Sequence, residues 1–252
     1  MQLISAHAGK LIRLREQEAT AAHVARVTTG LDALDAVLPP DGLRRGAIHE
    51  LLHSPQHPQP RFIAASLGIA DCRLPIAEQK TSGFGNRQST IDNPIIWFDP
   101  DHTLYPPALA AMGIDLARLY IIRPRTYADL LWALTECLRC TAVSATVCPV
   151  DRLSRVEARK LQLAIETGGG IGLLLRPNNS NAQIYAAATR WLIEPAAGER
   201  SLQRWKMQLL HGHGGRVGSV IYLEHDRETH LLRAVDPLAG GSGRKEAIKI
   251  AG

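Results

Sequence analysis

The chain predicts an α/β fold, a mostly parallel, twisted sheet flanked by helices, with antiparallel strands along one edge. Three observations predict it. Apolar, strand-like runs recur at 47–52, 95–99, 119–122, 143–147 and 171–175. Helical signals fall between them, and this alternation is what a parallel sheet with helices on its faces produces. With 252 residues, 45% of them hydrophobic, the chain can bury one substantial core.

In chain order, residues 1–23 predict an amphipathic helix with Leu3, Ile4, Leu11, Ile12 and Leu14 as its apolar positions. The body then runs over 24–238. It holds a first strand at 47–52, a helix at 61–71, and a long connection over 73–93 that is either functional or disordered. Helices follow at 127–139 and 154–167. Later strands at 189–194, 205–210 and 217–224 form the antiparallel edge. From 239 onward, Gly240-Gly-Ser-Gly-Arg-Lys245 reads as a flexible linker into a short tail that carries Lys249.

The segment after the first strand, Ser54-Pro-Gln-His-Pro-Gln-Pro60, stands where a nucleotide-binding α/β protein carries its phosphate loop. It has no glycine and no Lys-Ser/Thr pair. A phosphate loop needs glycines so that successive N–H groups converge on one phosphate, and a lysine to reach the terminal phosphates. Here Pro55, Pro58 and Pro60 each remove an N–H donor. The loop predicts a scaffold without nucleotide chemistry.

Two flanking stretches carry a family resemblance. Val27-Thr-Thr-Gly-Leu-Asp32 precedes the first strand, and Asp99, Asp101 and His102 run in register to Gly113-Ile-Asp115 after the second. Both resemble RecA, and the likeness extends over about residues 24–225, so a RecA-like core is expected. The family's catalytic glutamate falls on Asp101. The acidic residue of its Walker-B-like strand falls on Pro149, with Asp151 two positions late, and its two cross-subunit cations fall near Leu209 and His211. The resemblance thus implies a vestigial site of Ser54, Gln56, Arg61, Asp99 and Asp101, with no catalytic residue and no bound cofactor. Weak ATPase activity, with Arg61 in place of the missing lysine, is the competing reading.

Within the RecA-like group the chain resembles the ImuA family most. Asp101-His-Thr-Leu-Tyr-Pro-Pro-Ala-Leu109, Arg123-Pro-Arg125, Leu131-Trp-Ala-Leu134, Asp151-Arg-Leu-Ser154, Arg159-Lys-Leu-Gln-Leu163 and Gly172-Leu-Leu-Leu-Arg-Pro177 carry that resemblance. It implies a non-catalytic accessory factor of SOS-induced, error-prone translesion synthesis that acts by protein contacts. The implied partners are an ImuB-like Y-family polymerase homologue, RecA and, indirectly, an error-prone C-family polymerase. A cell-division inhibitor resembling SulA, which binds FtsZ, is the alternative, although SulA-like chains are shorter.

Charge and cysteines bound the rest. The net charge of +5, from 29 basic and 24 acidic residues, is compatible with weak DNA contact without requiring it. As a helix, 151–163 sets Leu153, Val156, Lys160, Leu161 and Ala164 on one side and Arg152, Arg155 and Arg159 on another. The basic side is either a solvated face or a surface for DNA or an acidic partner. Leu3, Leu11 and Leu14 at the N-terminus, with Lys245 and Lys249 at the C-terminus, are further candidate partner contacts. Four cysteines read as reduced, packed thiols, and His49, His53 and His57 as strand and loop residues more than a metal site. No run of about 18 apolar residues exists, so no membrane span is expected. Lys10 and Arg13 interrupt any signal-peptide core, which predicts a cytoplasmic protein.

Overall fold

The computed structural model describes residues 26–29, 31–38, 42–56, 60–69, 94–112, 114–178, 187–197, 202–212, 214–226, 228, 232–235 and 246–248. The amphipathic helix expected at 1–23 and the connection at 73–93 lie outside them. A small antiparallel ribbon, β1 (Arg26–Val27) with β2 (Leu43–Arg44), brackets a single helical turn, α1 (Asp32–Asp35). Next come β3 (Ala47–His53), α2 (Arg61–Ile69), β4 (Ile95–Phe98), α3 (Pro106–Ala111), β5 (Leu119–Ile122) and α4 (Tyr127–Arg139). They are followed by β6 (Ala145–Pro149), α5 (Arg155–Gly168), β7 (Ile171–Pro177), β8 (Ala187–Ala196), β9 (Leu202–Gly212), β10 (Val220–Asp226), β11 (Leu232–Val235) and β12 (Glu246–Ile248).

Ten of these strands make one sheet, in the order β12–β11–β10–β9–β8–β3–β7–β6–β4–β5. From β5 to β8 all neighbours are parallel, and from β8 to β12 all are antiparallel. This is the RecA-like α/β arrangement that the sequence predicts. Two differences concern its far edge. The sequence carries no strand signal at Leu232–Val235, and three residues of the segment read as a tail, Glu246–Ile248, pair with that strand.

Helices cover both faces, and each face has its own apolar cluster. Leu51, Ile63, Trp97, Leu109, Leu173 and Trp191 pack on the side of α2 and α3. Ile48, Phe98, Leu130, Leu134, Leu161 and Leu174 pack on the side of α4 and α5. Period two along the strands sends Ile48 and Leu51 to opposite faces, so β3 is buried along its whole length.

α4 and α5 are locally well specified. The Thr126 hydroxyl accepts from the Asp129 N–H at 3.1 Å to start α4. Ser154 and Glu157 form a reciprocal capping box at the start of α5, at 3.2 and 2.7 Å. Gly169 closes α5 at φ +75°, a conformation costly for residues with a Cβ. Gly168 is required by proximity, since a Cβ there would stand 2.1 Å from the Leu138 carbonyl oxygen. The buried positions of α5 are Ala158, Leu161, Ala164, Ile165 and Gly168. The sequence placed Val156 on that face, and the structure corrects it. The stripe that meets the sheet begins at Ala158, so Val156 points to solvent beside Arg159. No helix of the described residues is long and apolar enough to cross a membrane.

Candidate functional site

Parallel strands place their C-terminal ends on one rim, where α/β proteins build binding sites. Here the rim is formed by the segments after β3, β4, β5, β6 and β7. After β3, Ser54 and Gln56 hydrogen-bond each other at 2.6 Å, and the His53 carbonyl accepts from the Asn178 N–H at 2.7 Å. His57, Pro58 and Gln59 lie outside the described residues.

Asp99 follows directly on β4 and is almost fully buried. One carboxylate oxygen accepts from the backbone N–H groups of Thr103 and Leu104, at 2.9 and 3.1 Å. The other accepts from Nε and Nη2 of Arg123, both at 3.2 Å. Four donors on two oxygens fix this carboxylate as the organiser of the 99–104 turn and the anchor of the segment after β5. The turn it holds contains His102 at φ +55°, an uncommon conformation for a non-glycine residue. Arg61, at the start of α2, donates to the Thr103 hydroxyl and so ties α2 to the same turn. The structure therefore joins Arg61 and Asp99 through Thr103, and places Asp101 exposed at the tip. Asp99 is chemically a cap and an ion-pair partner, with its lone pairs committed.

The remaining candidates separate. Pro149 is a buried strand residue and Asp151 is exposed. Leu209 is buried and His211 half-buried on β9, in the antiparallel part of the sheet. Arg152 and Arg155 flank the start of α5, exposed, and the Arg152 carbonyl accepts from the Tyr127 hydroxyl at 2.6 Å. Burial, followed by the nearby Glu157 carboxylate, raises the Tyr127 pKa and keeps that hydroxyl a donor. Arg159 donates to Gln162 at 2.8 Å. Leu3, Leu11, Leu14, Lys245 and Lys249 lie outside the described residues.

His49 and His53 share one face of β3. His49 is engaged by the Thr189 hydroxyl at 2.8 Å and the Arg44 carbonyl at 2.9 Å. Burial drives its pKa down to about 4, so it is neutral at physiological pH. Among the described residues no group of three His, Cys, Asp or Glu side chains converges on a metal position. Burial is also the main reason that the Cys137 thiol is pushed up to about 11 and the Cys148 thiol well above its usual range. Neither is a thiolate nucleophile at neutral pH.

One buried constellation escaped the sequence reading. Glu50, in the middle of β3, accepts from Arg176 of β7 at 2.6 Å and from Arg190 of β8 at 2.6 Å. A signal was present, since a glutamate inside Ile48-His-Glu-Leu-Leu52 needs cationic partners if that run is buried.

No model of a known protein family matches the chain. The chain is similar to Protein ImuA of Caulobacter vibrioides, in strain NA1000/CB15N and in strain ATCC 19089/CIP 103742/CB 15. Each is 28% identical over 228 residues, covering 83% of this chain and 88% of the relative.

Proposed function

This chain is a moderately distant member of the ImuA family, and from that premise we propose that it is a non-catalytic accessory protein of DNA-damage-induced mutagenesis. It serves SOS-induced, error-prone translesion synthesis by binding other proteins, namely an ImuB-like Y-family polymerase homologue, RecA, or both. The observation that carries the non-catalytic part is the state of the rim. The segment after β3 bears prolines where a phosphate cradle needs N–H donors. The buried carboxylate after β4, Asp99, commits both oxygens to Thr103, Leu104 and Arg123.

Two measurements test this. Equilibrium titration with labelled ATP and magnesium is expected to show no saturable binding. Damage-induced mutation frequency, in cells lacking the gene and complemented with Asp101→Ala, is expected to match complementation with the unaltered chain. Micromolar ATP affinity that disappears in Asp101→Ala, together with loss of mutagenesis, would make the protein a diverged ATPase.

A further inference from the structure

α4 and α5 lie side by side and point the same way. At their starts Tyr127 reaches the Arg152 carbonyl, and at their ends Leu138 meets Gly168. Trp132 and Lys160 each lie five residues into their helices, so both stand about 7.5 Å along their axes at 1.5 Å per residue. On α5, Val156, Lys160 and Leu163 follow the i, i+4, i+7 spacing of one outward stripe. Three large apolar side chains therefore share one outer surface: Trp132 is 66% exposed, Val156 79% and Leu163 47%.

The ionic surround of this patch is basic along α5 itself. Exposed carboxylates stand at its margins, Asp129 accepting from the Thr126 hydroxyl, Glu166 accepting from Gln162, and Asp151 just before Arg152. Between Arg152 and Leu163 the exposed charges are Arg152, Arg155, Arg159 and Lys160. The carboxylate among them, Glu157, is committed to the capping box. Arg159 bonds neutral Gln162, and Arg139 at the far end of α4 is already paired with Glu136 at 2.9 Å. An aromatic and aliphatic centre with a cationic rim has the composition of a protein-binding hot spot. Phosphate contact alone would call for the cations and leave Trp132, Val156 and Leu163 without a role.

We infer that the outer face of α4 and α5 is a docking site for an acidic amphipathic helix of the polymerase-like partner. This rests on the function proposed above and names its surface. The partner helix lays apolar residues, spaced i, i+3/i+4, over Trp132, Val156 and Leu163, and directs Asp and Glu side chains toward Arg152, Arg159 and Lys160. Basic residues at the rim speed encounter and select against basic partners, while the apolar centre holds the complex.

The test uses the full chain and the purified polymerase-like partner. Placing the photocrosslinker p-benzoylphenylalanine at position 156 should crosslink a partner segment rich in Asp and Glu with helically spaced apolar residues. The Val156→Glu/Leu163→Glu variant should weaken the complex roughly tenfold or more, with unchanged circular dichroism. Lys160→Glu should weaken it less, and more at low than at high salt. Val217→Glu, at an exposed apolar residue elsewhere, should change nothing. If the unaltered chain binds the partner and Val156→Glu/Leu163→Glu binds it equally well, this docking site is wrong and the proposed function survives. Absence of any complex with the unaltered chain overturns the docking site and the polymerase-like partner of the proposed function, and leaves RecA as its partner. A crosslink from position 156 to single- or double-stranded DNA, or to a second copy of the chain, assigns the face to another occupant and overturns the inference.

Discussion

Two parts of the sheet use the same ionic device at different depths. In the parallel part Glu50 of β3 sits between Arg176 of β7 and Arg190 of β8, and the three side chains are 6%, 7% and 5% exposed. In the antiparallel part Glu224 of β10 sits between Arg204 of β9 and Arg233 of β11, at 4%, 23% and 17%. Both glutamates stand on the same face of the sheet, opposite the face that carries Leu51 and Trp205. Under α4 and α5 that face is apolar, and from β3 outward it becomes ionic. In both, two cations around one anion tie a strand to its two neighbours. The price of desolvation separates the cases: the inner triad must be complete to be tolerated, and the outer one can lean on water.

Glu50→Gln should therefore have the largest effect. It strands two buried guanidinium groups, and urea unfolding should show a loss of about 3–5 kcal/mol. Replacing all three residues with apolar ones (Glu50→Leu, Arg176→Met, Arg190→Leu) should restore most of it, because burial then carries no uncompensated charge. A milder loss for Glu50→Gln than for Glu224→Gln would break the comparison.

His49, beside Glu50 on β3, offers a test by pH. Its folded-state pKa of about 4 lies below the unfolded value of 6.5, so the unfolded chain binds the proton first. Its contribution to stability is complete above pH 6.5 and is lost as pH falls toward 4. The total is about 3 kcal/mol, taken at 1.36 kcal/mol per pKa unit. Unfolding free energies measured across that window should show the slope in the unaltered chain and a reduced slope in His49→Gln.

Glu224→Gln comes next, with an expected loss of about 1–2 kcal/mol, in the range of charged hydrogen bonds that retain access to water. The smallest effect belongs to Lys206→Ala. Its pair with Glu194 spans 3.3 Å with side chains 36% and 43% exposed. A change in denaturation midpoint worth at most about 0.5 kcal/mol is expected, and raising salt should erase it.

The sequence read the parallel part closely because its strands are mostly apolar runs and its helices carry both caps and period. α4 is bounded at Tyr127 and Arg139 as expected, since Thr126 and the leucine spacing mark it from within the chain. Legibility failed where placement depends on neighbours distant in sequence. Val156 fits either side of an isolated helix, and only the sheet beneath α5 decides which side is down. Leu232–Val235 and Glu246–Ile248 are too short to show alternation, and they become strands by pairing with β10 and with each other. At the rim, the missing phosphate-loop residues were plain in the sequence. The commitment of Asp99 was not, because its donors come from Thr103, Leu104 and Arg123, and only folding brings the last of these near.

The central position of β3 has a consequence for how the protein is made. Its two neighbours arrive late in the chain, as the sequence separations of 126 and 140 residues between Glu50 and its arginine partners show. At synthesis rates of about 5–20 residues per second, the strand emerges roughly 7–28 s before both flanking strands exist. Until β7 emerges, a largely apolar strand carrying a lone glutamate has neither edge paired, and until β8 follows one edge stays open. The sheet around β3 is thus incomplete until β8 has left the ribosome, and chains truncated before Arg190 should depend on chaperones or aggregate.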